Sequence, residues 1–143
     1  MTPLGLAIKL RKNEISTVLY NNPQIKKGHL DLLDISLKHE NMDVAKMLLE
    51  DLDPNSKDDE GNTVLHILII RNQLQMFFTN LQLSKNVLKV DPNIKNNDGW
   101  APLHLCVRHS KEEALKNLLE VKNIDPDVKG GNYGFSPLHL AVM

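Results

Sequence analysis

The sequence is poor in the residues that carry most chemistry. It has one cysteine, one tryptophan and only 4% aromatic residues in 143. A lone cysteine excludes an internal disulfide and fits a reducing setting, so an intracellular, cytoplasmic or nuclear location is expected. The formal net charge of -1 provides no global basic field to draw the chain to nucleic acid or an anionic membrane. The shortage of aromatics also argues against a nucleic-acid surface, which needs a basic stripe with interleaved rings. No apolar run approaches the roughly 20 residues of a membrane span. The opening "MTPLGLAIKLRKN" lacks the pattern of a secretory signal. Neither G-x-x-x-x-G-K-[ST] nor G-x-G-x-x-G occurs, so no phosphate loop is expected. The acids Asp58, Asp59 and Glu60 lack the twelve-residue ligand pattern of a calcium loop. What remains is ordinary for one globular domain: 41% hydrophobic and 24% charged residues.

That material is arranged periodically. "TPLGLA" at Thr2, "DLLDIS" at Asp31, "TVLHIL" at Thr63, "APLHLC" at Ala101 and "SPLHLA" at Ser136 are variants of one word. Their marker leucines, Leu4, Leu33, Leu65, Leu103 and Leu138, are separated by 29, 32, 38 and 35 residues. A period near 33 lies in the range of stacked repeats. A second word keeps the phase. Asp53 and Asp91 open "DPN" 12 residues before their leucines, and Asp125 opens "DPD" 13 before its own. "NNPQ" around Pro23 is assigned the same part. Each unit reads as two short helices joined by a polar junction, then an Asp-Pro stop and a turn rich in Asn, Asp and Gly. Gly61, Gly99 and Gly134 are expected to supply a positive backbone torsion there. "QLSKNVLKV" before Asp91 predicts an extended second helix or a loop, and "GGNYGF" one extra turn residue.

"APLHLCVRHS" holds His104, Cys106 and His109 close together. On a helix His104 and Cys106 lie about 200° apart at about 100° per residue, so they cannot share a metal. Cys106 aligns with Ala7, Ser36, Leu68 and Ala141 and reads as a small core residue, not a nucleophile. His66, His104 and His139 recur at one place in three units. They read as imidazoles near helix starts, joining their own turn to the next unit. Thr63 and Ser136 suit helix capping; Ala101 has no side-chain oxygen for it.

The pattern resembles the ankyrin repeat, D-x-x-G-x-T-P-L-H-x-A followed by an apolar second helix and an Asp-x-Asn turn. "NNDGWAPLHLCV" and "GNYGFSPLHLAV" follow it closely. "DDEGNTVLHILI" has Val64 in the proline place. Leu32 and Asp34 replace proline and histidine in the second unit, and Gly5 replaces histidine in the first. The glycine usual between the helices is absent, with Arg11, Glu40, Asn72 and Ser110 standing there. The resemblance implies an all-α ankyrin-repeat solenoid of stacked helix pairs with projecting, hairpin-like turns. It implies a single domain over 1–143, divided at 1–27 (partial), 28–57, 58–95, 96–130 and 131–143 (partial). Neither end carries a polar capping repeat, so a longer array is expected, with fraying at Leu138 to Val142.

The resemblance also implies a non-catalytic module that binds another protein, as a monomer, with no cofactor, metal, nucleic acid or membrane span. Asn62, Trp100 and Phe135 stand between glycine and cap, placed by the resemblance on the concave side with Arg108 and His109. Tryptophan, tyrosine and arginine are enriched in binding hot spots, which makes Trp100, Tyr133 and Phe135 the candidate anchor. Lys57, Asp59, Glu60, Lys95, Asn97 and Asp98 form a candidate polar rim. The competing reading folds the aromatics back on their own turns. One alternative within the same fold is part of an inhibitor of Rel-type transcription factors; another, of a different class, is an accessory ankyrin segment of a larger enzyme or channel.

Overall fold

A computed structural model describes residues 2–10, 18, 19, 21, 30–75 and 90–143. Its helices are α1 (Pro3–Lys9), α2 (Leu30–Lys38), α3 (Met42–Asp51), α4 (Val64–Ile70), α5 (Pro102–Arg108), α6 (Glu112–Leu119) and α7 (Pro137–Val142). Among the described residues the only β feature is an isolated antiparallel bridge between Gly130 and Phe135. The part assigned to Pro23, residues 82–89 of the "QLSKNVLKV" extension and the junction at Arg11 lie outside the described residues.

Helices of six to ten residues are too short to persist alone in water, so packing must hold them. Packing runs α1 to α2, α2 to α3, α4 to α5, α5 to α6 and α5 to α7. The marker leucines of the first four units are buried in one continuous core that runs from Leu4 to Leu118. The caps follow the sequence. Thr2 Oγ1 accepts from the Gly5 amide at 3.0 Å, and Pro3 sits at the first helical position, where its missing N–H costs nothing. Asn41 Oδ1 accepts from Val44 N at 3.5 Å, while its Nδ2 donates across to Ile8 O at 3.4 Å.

The junctions keep the glycine geometry without glycine. Glu40, Asn72 and Ser110 have φ of 58°, 60° and 54°. The next amide in each case reaches back five residues. Asn41 N donates to Ser36 O at 2.8 Å, Gln73 N to Leu68 O at 2.7 Å and Lys111 N to Cys106 O at 2.8 Å. This is the Schellman closure, which satisfies carbonyls that a helix end leaves open. Three non-glycine residues therefore tolerate a left-handed torsion because the hydrogen bonds of the helix end require it.

The Asp-Pro-Asn word stops a helix and also staples units together. Asp53 Oδ1 accepts from the Asn55 amide at 2.9 Å, forming a local turn. Asn55 Oδ1 then accepts from the Asp91 amide at 2.6 Å. One unit on, Asn93 Oδ1 accepts from Asp125 N at 2.8 Å and Asn93 Nδ2 donates to Asn123 O at 2.8 Å.

Ser110→Gly is expected to stabilise the protein by about 1 kcal/mol, by relieving the left-handed strain at an exposed site. The check is a urea midpoint that rises with no change in slope.

Candidate functional site

The turns form projecting fingers of one design. Asp58 N donates to Asn62 O at 3.0 Å, Asn96 N to Trp100 O at 2.9 Å, and Gly130 and Phe135 exchange two bonds of 2.9 Å. The last finger therefore spans one residue more than the other two. Within the first finger, Asp58 Oδ1 accepts from the amides of Glu60 and Asn62, both at 2.9 Å. Asn96 Oδ1 repeats this with the amides of Asp98 and Trp100. Adjacent fingers are bonded to each other. Asn97 N donates to Glu60 O at 3.0 Å, and Gly131 N to Gly99 O at 3.0 Å. A Cβ on Gly61, whose φ is 77°, would lie 2.7 Å from Asn97 N. Glycine here meets both the torsion and the close approach of the next finger.

The recurring histidines tie fingers to helices. The Thr63 amide donates to His66 Nδ1 at 3.0 Å, which leaves the ring proton on Nε2; Nε2 donates to Trp100 O at 2.8 Å. The Ala101 amide donates to His104 Nδ1 at 3.1 Å, and His104 Nε2 donates to Phe135 O at 2.8 Å. Both rings are fully buried. Burial disfavours their charged form and lowers both pKa values below the ordinary 6.5, against the opposing pull of the carbonyls. Cys106 is also buried, and burial pushes its thiol up to about 12. A thiol so rarely ionised is a poor nucleophile.

The candidate contact residues divide. Trp100 is half-buried. Its ring lies against His104 with centroids 5.2 Å apart, under the Arg108 guanidinium at 5.1 Å, and over Gly131, where a Cβ would sit 2.5 Å from it. The ring thus folds onto the next finger, not back on its own turn. Tyr133 is 82% exposed and stacks on the half-buried Phe135 at 5.5 Å, which in turn lies 6.1 Å from the His139 ring. Arg108, over the Trp100 ring, and His109 are exposed, as are Lys57, Asp59, Glu60, Lys95, Asn97 and Asp98 on the fingers. Asn62 departs from the expectation. Only 5% of it is exposed, because Oδ1 accepts from Asn96 Nδ2 at 3.0 Å and Nδ2 faces Glu60 at 3.4 Å. It joins fingers and presents almost no surface. Asn97 is exposed but also works between fingers, its Nδ2 donating to Asp59 O at 2.9 Å.

A cavity of about 300 Å³, which no motif of the sequence signals, lies between α2, α4 and the first finger. Asp31, Asp34, Asp58, Asp59 and Glu60 line it, together with Asn62, Ile67, Ile70 and Arg71. Arg71 is spoken for by Asp34, with bonds of 2.7 and 3.0 Å. This pairing raises the guanidinium pKa. Ile70 and Arg71 occupy the positions of Arg108 and His109 one unit earlier, and extending that alignment backwards is the signal that finds them. Among the described residues, no group of three or more His, Cys, Asp or Glu side chains is arranged to hold a metal ion. No described helix is long and apolar enough to cross a membrane.

A family model for ankyrin repeats (3 copies) matches residues 33–129 and 76–143. The chain belongs to the ankyrin-repeat family. It is 27% identical over 124 residues to the human transient receptor potential cation channel subfamily A member 1, a match covering 87% of this chain and 10% of the channel. It is 32% identical over 118 residues to a putative ankyrin repeat protein of Rickettsia felis, covering 81% of this chain and 33% of that protein. The chain thus spans well under two thirds of these relatives. The crystal structure of the ankyrin repeat domain of Bcl-3, described as a unique member of the IkappaB protein family, superposes with a TM-score of 0.81 at 23% identity. That match covers 99% of this chain and 65% of the other, and it shows the shared all-α ankyrin solenoid.

Two measurements test these interactions. Between their lowered native pKa and 6.5, His66 and His104 take up protons in the unfolded chain but not in the native one. Stability is therefore expected to hold above about pH 7 and to fall as pH drops below 6.5. Urea midpoints at pH 7.5 and 5.5 check this, with a smaller difference in His104→Asn. Arg71→Ala should cost no more than about 1 kcal/mol, because the pair is partly exposed at 32% and 40%; urea unfolding measures it.

Proposed function

We propose that this ankyrin array is a non-catalytic scaffold or adaptor module that binds a protein partner across its fingers and first helices, the concave face of the fold. The observation that carries this reading is the ledge at the third finger. Tyr133 stands out in solvent on Phe135, in the same finger as Gly131, on which Trp100 rests under Arg108; His109 follows Arg108 in the chain and is exposed. Rigid aromatics and arginine held in place before binding lose little entropy on contact, which is what hot spots need. Lys57, Asp59, Glu60, Lys95, Asn97 and Asp98 serve as the polar rim, and the acidic cavity beside them suits a basic side chain of the partner. Asn62 is kept out of the contact set. We read 1–143 as one domain with the unit divisions given above, a monomer, acting in the cytoplasm or nucleus.

The likeness to the human cation channel, at 27% identity over most of this chain, supports a second reading, in which the array is an accessory segment of a larger channel or enzyme. The inhibitor reading has the shared fold with Bcl-3 in its favour and rests on fold alone.

Tyr133→Ala combined with His109→Ala removes exposed side chains and is expected to leave stability within about 0.5 kcal/mol of wild type. In quantitative affinity capture, partners held by the wild type should be lost by this variant. They should be retained by Lys116→Ala, on α6 away from the fingers. Equal capture by all three proteins would remove the ledge from the binding face.

A further inference from the structure

The histidine bridge gives way to a carboxylate where α2 meets the first finger. His66 gives its Nε2–H to Trp100 O and His104 to Phe135 O, each acceptor lying just before the next helix cap. One unit earlier the same two places hold Asp34 and Asn62. An ionised carboxylate has no N–H to give. Asp34 turns instead to Arg71, accepting bonds of 2.7 and 3.0 Å. Asp34 and Asn62 both line the cavity of about 300 Å³. The cavity therefore lies at the place that an imidazole takes in the next two interfaces.

Its walls carry an excess of one charge. Asp31, Asp34, Asp58, Asp59 and Glu60 line it against the guanidinium of Arg71. Among the described residues, Asp34 alone of these acids is in an ion pair. The fingers differ in the same sense. "KDDE" of the first has three acids to one base, "KNND" of the second one of each, and "KGGNYGF" of the third a lysine and no acid. The cavity is also partly apolar, lined by buried Ile67 and by Ile70, which is 43% exposed.

We propose that this cavity takes one arginine side chain from an extended segment of the protein partner. The aliphatic stem lies along Ile67 and Ile70. The guanidinium stands among Asp31, Asp58, Asp59 and Glu60, at the place of the imidazole. The volume lies at the lower end of ligand pockets, which begin at about 300 Å³, and holds one long side chain. Arginine fits better than lysine because its planar fork meets several carboxylates at once and is less strongly hydrated than an ammonium. The segment belongs to the partner proposed above, so this assignment rests on the protein-binding reading and names the chemistry recognised at one end of that face.

The test titrates the full chain with the blocked tripeptide Gly-Arg-Gly at low ionic strength, followed by nitrogen–proton correlation NMR. Amide shifts are expected at Glu60, Asn62, Ile70 and Arg71, and none at Tyr133. The citrulline counterpart, neutral and of nearly the same shape, should bind about tenfold more weakly, and the lysine counterpart between the two. Asp59→Asn combined with Glu60→Gln leaves Asp58 to hold the finger and should weaken arginine binding about tenfold. Asp34→His restores the repeat word, fills the cavity and should abolish the shifts. If circular dichroism shows Asp34→His unfolded, the double variant decides. Equal binding of the arginine and citrulline peptides overturns the proposal, as does undiminished binding by either folded variant or shifts centred on the third finger. A lysine peptide that binds as tightly overturns the choice of arginine. If the arginine peptide does not bind while the variant at Tyr133 and His109 loses its partners, the cavity assignment fails and the protein-binding reading stands.

Discussion

The hydrogen bond from a buried imidazole to the carbonyl of the next unit is the constraint on which the interfaces at His66 and His104 depend. It requires a neutral ring with the proton on Nε2, and the cap amide enforces that tautomer by donating to Nδ1. It requires water to be excluded, which the leucines on either side accomplish. It also fixes where the next finger begins, because its acceptor is the residue immediately before the next helix cap. One side chain thus sets the helix start, the finger position and the distance between units.

Two further seams run parallel to it. On one edge the fingers bond through the amides of Asn97 and Gly131. On the other, Asn55 and Asn93 clip each Asp-Pro turn to its neighbour. Every such contact joins adjacent units only. Stability in an architecture of this kind is the sum of units and nearest-neighbour interfaces, so the effect of a lost contact stays local. The buried helices and the seams hold the exposed aromatics still, and the surface chemistry is set by a few residues at the finger tips and the ends of the first helices.

The periodic part of this organisation was readable from sequence. Marker leucines, finger glycines and recurrent histidines repeat because each answers the same local demand, and the fold followed from them. Residues whose part depends on the neighbouring unit were harder to read. Asn62 looked like a finger-tip contact and turned out to be buried, since its amide finds Asn96 34 residues away. The missing glycines at Glu40, Asn72 and Ser110 looked like a departure in the turns, yet the helix-end hydrogen bonds hold the torsion regardless. The acidic cavity has no local signature, because Asp31, Asp34 and the first finger come together only when units stack. Trp100 stands out in the sequence as a finger residue, but that its ring rests on Gly131, and so belongs to two units at once, depends on the neighbouring finger.

A strictly periodic surface has a translational degeneracy: a ligand that fits one pair of fingers fits the next pair as well, displaced by one unit. The third finger breaks that degeneracy. It closes between Gly130 and Phe135, one residue longer than the closures at Asp58 to Asn62 and Asn96 to Trp100, and among the described fingers it alone lifts a tyrosine clear of the surface. A single inserted residue thereby gives an otherwise repetitive array a phase mark, from which any bound chain can count its position.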